Sequence, residues 1–330
     1  MNDLRPEDWD RLRELRSAFL ERGETTTGDA LSDYWGSERD LELYDATFAR
    51  RIGWRWAAVL DELESRAFPR APAVILDWGC GTGGAARAWL EHFGADGLTD
   101  LHLVDRSLPA AQFAAERVRP LAGSARIHEE LPATCDLLLL SHVLDETGSA
   151  DRTELLELCS RAHSIVWLEP GHQASARALV TLREELRTRF DVIAPCPHRD
   201  TCGLLAPGHE RDWCHHFATP PRSVFQDGFW TRASRELGID LRSLPYSFLA
   251  LATAQPDTTP ADVGRVLGRP RMEKGRARLD LCTRTGVQTR DYLARFDKQR
   301  FRELGESPER ARLFRVREEG ERIVGLDPFP

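Results

Sequence analysis

The chain has 330 residues, with 45 Lys or Arg against 53 Asp or Glu and a formal net charge of −8. That length suits two domains, or one domain with large additions, and a hydrophobic share of 41% is enough for a sizeable core. The acidic balance excludes binding of nucleic acid by global charge alone, and no apolar run approaches the roughly 18 residues of a membrane span. The N-terminus lacks the apolar segment of a secretory signal, so the chain is expected to be cytoplasmic with reduced cysteines.

In chain order, residues 6–22 are expected to be a helix with Trp9, Leu12, Leu15 and Leu20 on one face. A polar stretch, Thr25 to Asp29, separates it from a longer helical region over 38–66. There Leu41, Tyr44, Phe48, Ile52, Trp56, Val59, Leu60 and Leu63 recur at three- and four-residue steps. Trp54 and Trp56 read as packing residues. Arg50, Arg51 and Arg55 read as a solvated helix face, with phosphate contact as the other reading.

Strand and helix patterns alternate from Val74 onward. Val74-Ile75-Leu76 leads into Asp77, then into Gly79, Gly81, Gly83 and Gly84, then into an alanine-rich helical run. The order is strand, tight turn, helix, with a bare backbone that lets a ligand approach the helix N-terminus. Gly79, Gly81 and Gly84 fit the G-x-G-x-x-G of NAD-binding folds. Asp77, Gly79, Gly81 and Gly83 fit a D-x-G-x-G-x-G that resembles motif I of class I S-adenosylmethionine (SAM) methyltransferases. The acid decides between them: a carboxylate there repels a pyrophosphate and suits the cationic methionine end of SAM. A second strand, 101–105, ends in Asp105, 22 residues after Gly83. That is about the offset of a carboxylate that accepts from ribose hydroxyls. Helices are expected over 109–119, 151–162 and 174–189, a short strand near 127–129, and strands over 135–144, 164–171 and 190–195, with Asp145 and Glu146 opening a connection. The fold class is therefore α/β, a doubly wound, mostly parallel sheet. Ser141 and His142 fall at the carboxyl edge of the fourth strand, where ligands bind in such sheets.

Seven cysteines then divide in two. Cys80, Cys135 and Cys159 lie in sheet and helix patterns and read as small buried residues. Cys196, Cys202, Cys214 and Cys282 fall in or beside polar loops. Four thiolates match a closed zinc site or an iron–sulfur cluster; His198, His215 and His216 keep zinc open, and the spacing alone does not choose. Radical-SAM chemistry is excluded by the lack of C-x₃-C-x₂-C.

Several motifs occur in one order: Asp77-x-Gly-x-Gly-x-Gly, Glu169-Pro170-Gly171, Pro195-Cys196-Pro197-His198 to Cys202, Trp213-Cys214-His215, Pro245-Tyr246-Ser247-Phe248, and Arg269-Pro270 through Lys274-Gly275 to Leu281-Cys282. Together, over about residues 40–290, they resemble the methyltransferase-like family of mitochondrial and bacterial ribosomal small-subunit assembly proteins. The resemblance implies SAM at the glycine motif, through Asp77, Gly79, Gly81, Gly83, Asp105 and Ser141. It implies a 4Fe–4S cluster, with zinc as the alternative, on Cys196, Cys202, Cys214 and Cys282. It implies the small ribosomal subunit and its RNA as partner; no membrane partner and a monomer are the further expectations. The expected parts are an N-terminal helical region over 1–68, a SAM-binding domain over 69–195, a cysteine-rich segment over 196–244, and a last sheet strand with a C-terminal β extension over 245–330. After Cys282 the sequence departs from the family: Arg290-Asp291-Tyr292-Leu293-Ala294-Arg295 stands where a hairpin with a Ser-Lys pair is usual.

The chemistry stays open. Ser141-His142-Val143-Leu144 replaces the Asp/Asn-Pro-Pro-aromatic of many amine methyltransferases, and no nucleophilic cysteine stands near this edge. His142 is the titratable candidate there, beside an ordinary structural role. Methyl transfer can run on positioning. The two readings are therefore an active rRNA methyltransferase and an assembly factor that keeps the SAM fold without turnover; a zinc-bound methyltransferase of another substrate is a further alternative. From Arg265 to Arg284, seven basic residues (Arg265, Arg269, Arg271, Lys274, Arg276, Arg278, Arg284) stand against two acids, Glu273 and Asp280, a local excess that reads as a surface for RNA phosphates, with a solvated hairpin as the other reading.

Overall fold

Apolar runs that sequence reading assigns to a buried parallel sheet do form one in the computed structural model, which describes residues 4–22, 35–144, 151–306 and 313–329. The stretch Thr25 to Asp29 and the pair Asp145–Glu146 lie outside the described residues. The chain divides into two units: Met1–Asp61, Pro69–Glu169 and Thr219–Leu244 in the first; Glu62–Phe68, Pro170–Ala218 and Pro245–Pro330 in the second. Among the described residues, no helix is long and apolar enough to cross a membrane.

The first unit begins with α1 (Pro6–Arg22) and α2 (Glu38–Tyr44); α2 runs through a π-helical turn (Asp45–Ala49) into α3 (Arg50–Ser65). Strands β1 (Val74–Trp78), β2 (Asp100–Val104), β3 (Arg126–His128), β4 (Cys135–Ser141) and β5 (Ala162–Pro170) alternate with α4 (Gly84–Phe93), α5 (Leu108–Val118) and α6 (Asp151–Ser160). The five strands are parallel, in the order β3-β2-β1-β4-β5. The chain leaves β1 toward β2 and β3, then returns to its other side with β4. That reversal opens a crevice at the carboxyl ends of β1 and β4. Ile75 pairs with both Leu101 and Leu137; these are buried apolar side chains worth about 2 kcal/mol each. That is why the strands read as continuous apolar runs. A second core joins Trp9 and Leu12 of α1 to Trp230 and Leu237 of α8 (Gly228–Leu237). Trp54 packs on Trp230 with ring centroids 4.8 Å apart.

The second unit holds α7 (Gln173–Leu186), β6 (Asp191–Ala194), β7 (His216–Ala218) and β8 (Leu244–Ala252), with β6 antiparallel to β8 and β7 also paired to β8. After them β9 (Val263–Glu273), β10 (Arg276–Thr283), β11 (Gly286–Leu293), β12 (Leu313–Glu319) and β13 (Arg322–Pro328) close a barrel in the order β10-β11-β13-β12-β9. β11 and β13 are parallel, and α9 (Lys298–Glu306) lies between β11 and β12 in the chain. Val266, Leu279, Leu281, Tyr292, Phe314 and Ile323 fill the interior with Leu304 of α9. Five strands in this order, with a helix after the third, make the arrangement of an OB-fold. β11, β12 and β13, in a stretch that the sequence leaves without a role, are what closes it.

Candidate functional sites

The turn after β1 is built from backbone in conformations that favour glycine. Gly79, Gly81 and Gly83 have φ of +68°, +52° and +77°. Their uses differ. A Cβ on Gly79 would meet Val143 Cγ1 at 2.8 Å, one on Gly83 would press on Ala114 and Val118 of α5, and one on Gly81 would point into open space. Gly83 thus serves helix packing, and the open side of the turn is at Gly81. Asp77 is fully buried, and its Oδ2 accepts from the Ala86 N–H at 3.0 Å. Its Oδ1 is buried with no hydrogen-bond partner. Burial pushes its carboxyl up to about 7, and Asp105 adds to the rise. Asp105 braces the turn: Oδ2 accepts from Gly81 N–H and Oδ1 from Ser107 N–H, each at 2.9 Å.

Ser141 ends β4 one position beyond the Trp78–Leu140 pair, and Trp56 Nε1–H donates to its Oγ at 3.1 Å. His142 has φ of +58°, and its N–H donates to Leu168 O at 2.8 Å. Glu169, which the sequence shows only as part of a Glu-Pro-Gly motif without a role in the site, holds this loop. Fully buried at the end of β5, its Oε1 accepts from the N–H groups of Val143 (3.1 Å) and Leu144 (3.2 Å) and from Trp167 Nε1 (2.7 Å).

In the second unit, Cys196, Cys202, Cys214 and Cys282 line one cavity with an empty volume of about 490 Å³, solvent at its mouth included. Two close approaches bring their loops together. Gly203, next to Cys202, lies against the β10–β11 turn: a Cβ there would meet Val287 N at 2.7 Å. Gly171 lies against Pro245 and Tyr246, and its carbonyl accepts from Trp213 Nε1 at 3.0 Å. Ser247 Oγ donates to Cys214 O at 2.7 Å.

Each sulfur faces a nitrogen. Arg183 Nε donates to Cys196 Sγ at 3.2 Å, and the backbone N–H of Leu204 points at Cys202. His198 Nε2 stands 3.7 Å from Cys282 Sγ. Arg265 Nη1 donates to His216 Nδ1 at 3.4 Å, which leaves the proton on Nε2, 3.7 Å from Cys214 Sγ. Burial pushes the Cys202 thiol up to about 11 and those of Cys214 and Cys282 higher, and the sulfurs raise one another. Among the described residues, no group of three or more His, Cys, Asp or Glu is gathered closely enough to hold a metal ion. The expected closed four-cysteine metal site is therefore not seen as such: the thiols stand around a cavity rather than at one point. Cys80, Cys135 and Cys159 are buried apart from it.

Residues 47–306 match the family described as mitochondrial small ribosomal subunit Rsm22. The chain belongs to the Rsm22 family. Comparison with curated protein sequences gives no match. Among solved structures, the Rsm22-family chain is similar to magnesium protoporphyrin IX methyltransferase from Synechocystis PCC 6803 with SAM bound. Identity is 10% and the TM-score 0.39, over 77% of this chain and 100% of that one. It is similar also to a candidate RNA methyltransferase from Pyrococcus horikoshii (13% identity, TM-score 0.36, 72% of this chain and 96% of that one). A SAM-dependent methyltransferase from Aquifex aeolicus gives 14% identity and a TM-score of 0.36 over 48% of this chain and 90% of that one.

The basic stretch of this Rsm22-family chain is less basic than its sequence. Arg265 is 1% exposed and bonds Glu62. Arg271 pairs with Asp280, Arg276 with Glu273 and Asp291, Arg278 with Asp291, and Arg284 with Asp257. Arg269 lies over the Phe217 ring, 4.4 Å from its centroid. Arg269, Arg271, Lys274 and Arg284 remain exposed, and the carboxylates beside Arg271, Arg276, Arg278 and Arg284 offset much of the local positive charge. Arg265 is no part of that surface, because its side chain is buried.

Proposed function

We propose that this chain binds SAM at the turn after β1 and acts as an RNA methyltransferase-like protein of the small ribosomal subunit. The observation that carries the reading is Asp77: a fully buried carboxylate with one oxygen unmatched, beside a glycine turn whose open side is at Gly81. An unmatched buried acceptor is costly, and the ammonium end of SAM is a donor that suits it. Asp105 and Ser141 stand at the same edge, where the ribose hydroxyls and the methionine chain would reach. The family supplies the ribosomal partner. The OB-fold arrangement supports single-stranded RNA as the contact, since that barrel commonly binds oligonucleotides. Calorimetric titration of SAM tests the site. Gly81→Val, which fills the open side, is expected to abolish the heat of binding, and an unchanged affinity would remove the reading.

The four cysteines fit a 4Fe–4S cluster better than zinc. A zinc ion needs four sulfurs at about 2.3 Å from one point, whereas these stand around a cavity, and a cube of eight atoms is larger than one ion. A thiol is a weak acceptor and a thiolate a strong one, so the nitrogens that face the sulfurs, the Arg183 Nε–H on Cys196 among them, suit bound thiolates. When bound, the cluster would serve as a structural staple closed by four thiolates. Colour and iron content of anaerobically purified protein test this; a colourless protein with one zinc per chain would overturn it.

Transfer of labelled methyl from SAM to small-subunit particles separates an active methyltransferase from a factor that binds SAM without turnover.

A further inference from the structure

In the first unit, several arginines on or beside the N-terminal helices are matched to carboxylates. Arg11 pairs with Asp40, Arg39 with Asp8 and Arg13 with Glu236, and Arg87 of α4 pairs with Asp45. Arg51 and Arg55, one turn apart on α3, are not. Arg51 reaches only the Asp240 carbonyl, at 3.5 Å, and Arg55 has no hydrogen bond or ion pair among the described residues. The Nε atoms of both are cut off from water without a partner. Burial pushes Arg51 down to about 10, with Arg16 of α1 adding to it, and pushes Arg55 down to about 9, with Arg51 adding to it. Both guanidiniums remain protonated at neutral pH, so like charges stand half-buried at i and i+4, an arrangement that costs stability.

The place is fixed as well. Trp56, the next residue on α3, donates to Ser141 at the carboxyl end of β4. The turn that carries Arg55 therefore lies at the ligand-binding edge of the sheet. Unmatched cations in such a place are what an oxyanion ligand would relieve, and a guanidinium fork fits phosphate oxygens two at a time. A single carboxylate would neutralise one of the three. A nucleic-acid strand brings a run of phosphates that can meet guanidiniums on two helices.

We propose that Arg51 and Arg55, with Arg16, form a site for backbone phosphates of a single-stranded RNA led to the carboxyl edge of the sheet. The choice of RNA rests on the proposed ribosomal function; the oxyanion site rests on the arginines alone.

The test uses the full chain, the double variant Arg51→Gln/Arg55→Gln, a single-stranded RNA oligonucleotide and inorganic phosphate. Without ligand, the double variant is expected to melt at or above the wild-type temperature, since like-charge repulsion is removed. Its RNA affinity is expected to fall about tenfold or more, and the slope of log K against log salt to flatten by about 1.4, from about 0.7 per lost phosphate contact. Phosphate should raise the melting temperature of the wild type and not of the variant. Unchanged RNA affinity and salt slope would overturn the proposal. A loss of the phosphate effect with RNA binding intact would overturn the RNA assignment and leave a site for free phosphate. A variant that melts lower with both ligand effects unchanged would make the arginines structural. SAM titration on the same two proteins keeps the readings apart: loss of SAM binding in the wild type would sink the proposed function without touching this site.

Discussion

The Nε–H of Arg183, a side chain only 2% exposed, donates to the Sγ of Cys196 across 3.2 Å. Its other nitrogens hold the carbonyls of His198 (3.2 Å) and Asp200 (2.9 Å) and the carboxylate of Glu184. One guanidinium on α7 thus fastens the whole 196–200 loop, and the charged neighbours hold its own pKa above the usual range despite burial. Arg183→Met is expected to leave two carbonyls without this donor and to cost on the order of 3 kcal/mol. Arg183→Lys should recover little, because a point charge cannot make the fork. Urea denaturation checks this, and an unshifted midpoint would remove the role. On protein loaded with a cluster, the Met variant should also have a more negative midpoint potential, since the cation that favours the reduced, more negative state is gone.

Asp77 gives a pH dependence with a definite sign. Its folded carboxyl titrates at about 7 against an ordinary 3.8, because burial disfavours the anion. Between those values the folded chain keeps a proton that the unfolded chain has lost. The stabilisation from that proton is complete below about 3.8 and is lost as pH rises through about 7. A cationic ligand end favours the ionised form, so SAM affinity is expected to rise from about pH 6 to about pH 7.5. Asp77→Asn should flatten that rise and weaken binding about tenfold at the upper end, on the order of 1.4 kcal/mol. Titrations at several pH values decide it; an Asn variant with the wild-type profile would take Asp77 out of the site.

The features legible in sequence are the local ones. β1, its glycine turn and α4 are written in adjacent residues, and a period of 2 or 3.6 needs no partner to be seen. Asp105 was reachable through a fixed offset along the chain. What stayed hidden depends on contacts far apart in sequence. Arg265 and Glu62 are 203 residues apart, and nothing in either neighbourhood marks an ion pair that is buried. Glu169 looked like part of a turn motif, although its real partners are the N–H groups of another loop. The barrel escaped because one of its strands, β11, carries Gln288, Thr289 and Arg290 in a row, and polar runs carry no inside face. Arg55 escaped for the opposite reason: an arginine on a helix reads as solvated unless the packing that covers it is known.

Glu169→Ala tests the loop after β4. It removes the acceptor for two backbone N–H groups and one indole N–H, all buried or nearly so. A loss of about 2–4 kcal/mol is expected, with Glu169→Gln recovering much of it because its Oε1 still accepts. Val143 is the side chain against which Gly79 is closed, so the Ala variant should also lose SAM affinity. Equal loss in the Ala and Gln variants would mean that charge, rather than the three bonds, is what the site uses.

Gly203→Ala addresses what brings the cysteines together. The added methyl would stand 2.7 Å from Val287 N and 2.9 Å from Gly286 Cα. Backbone on the far side cannot rotate away as a side chain can, so the 202–203 segment or the β10–β11 turn has to move. Either movement carries Cys202 away from Cys282 in the packed cluster they share with Leu204 and Val287. The variant is expected to lose about 1–3 kcal/mol through overpacking and to retain less than half of the wild-type iron and visible absorption after anaerobic reconstitution. Gly228→Ala is the control, because a Cβ there meets nothing within 4 Å, and it should match the wild type in both measurements. If Gly203→Ala keeps full iron and colour, the cavity does not depend on this approach. If instead the wild type carries no iron, the stability difference between the two glycine variants still reports whether Gly203 is where the loop and the barrel have to touch.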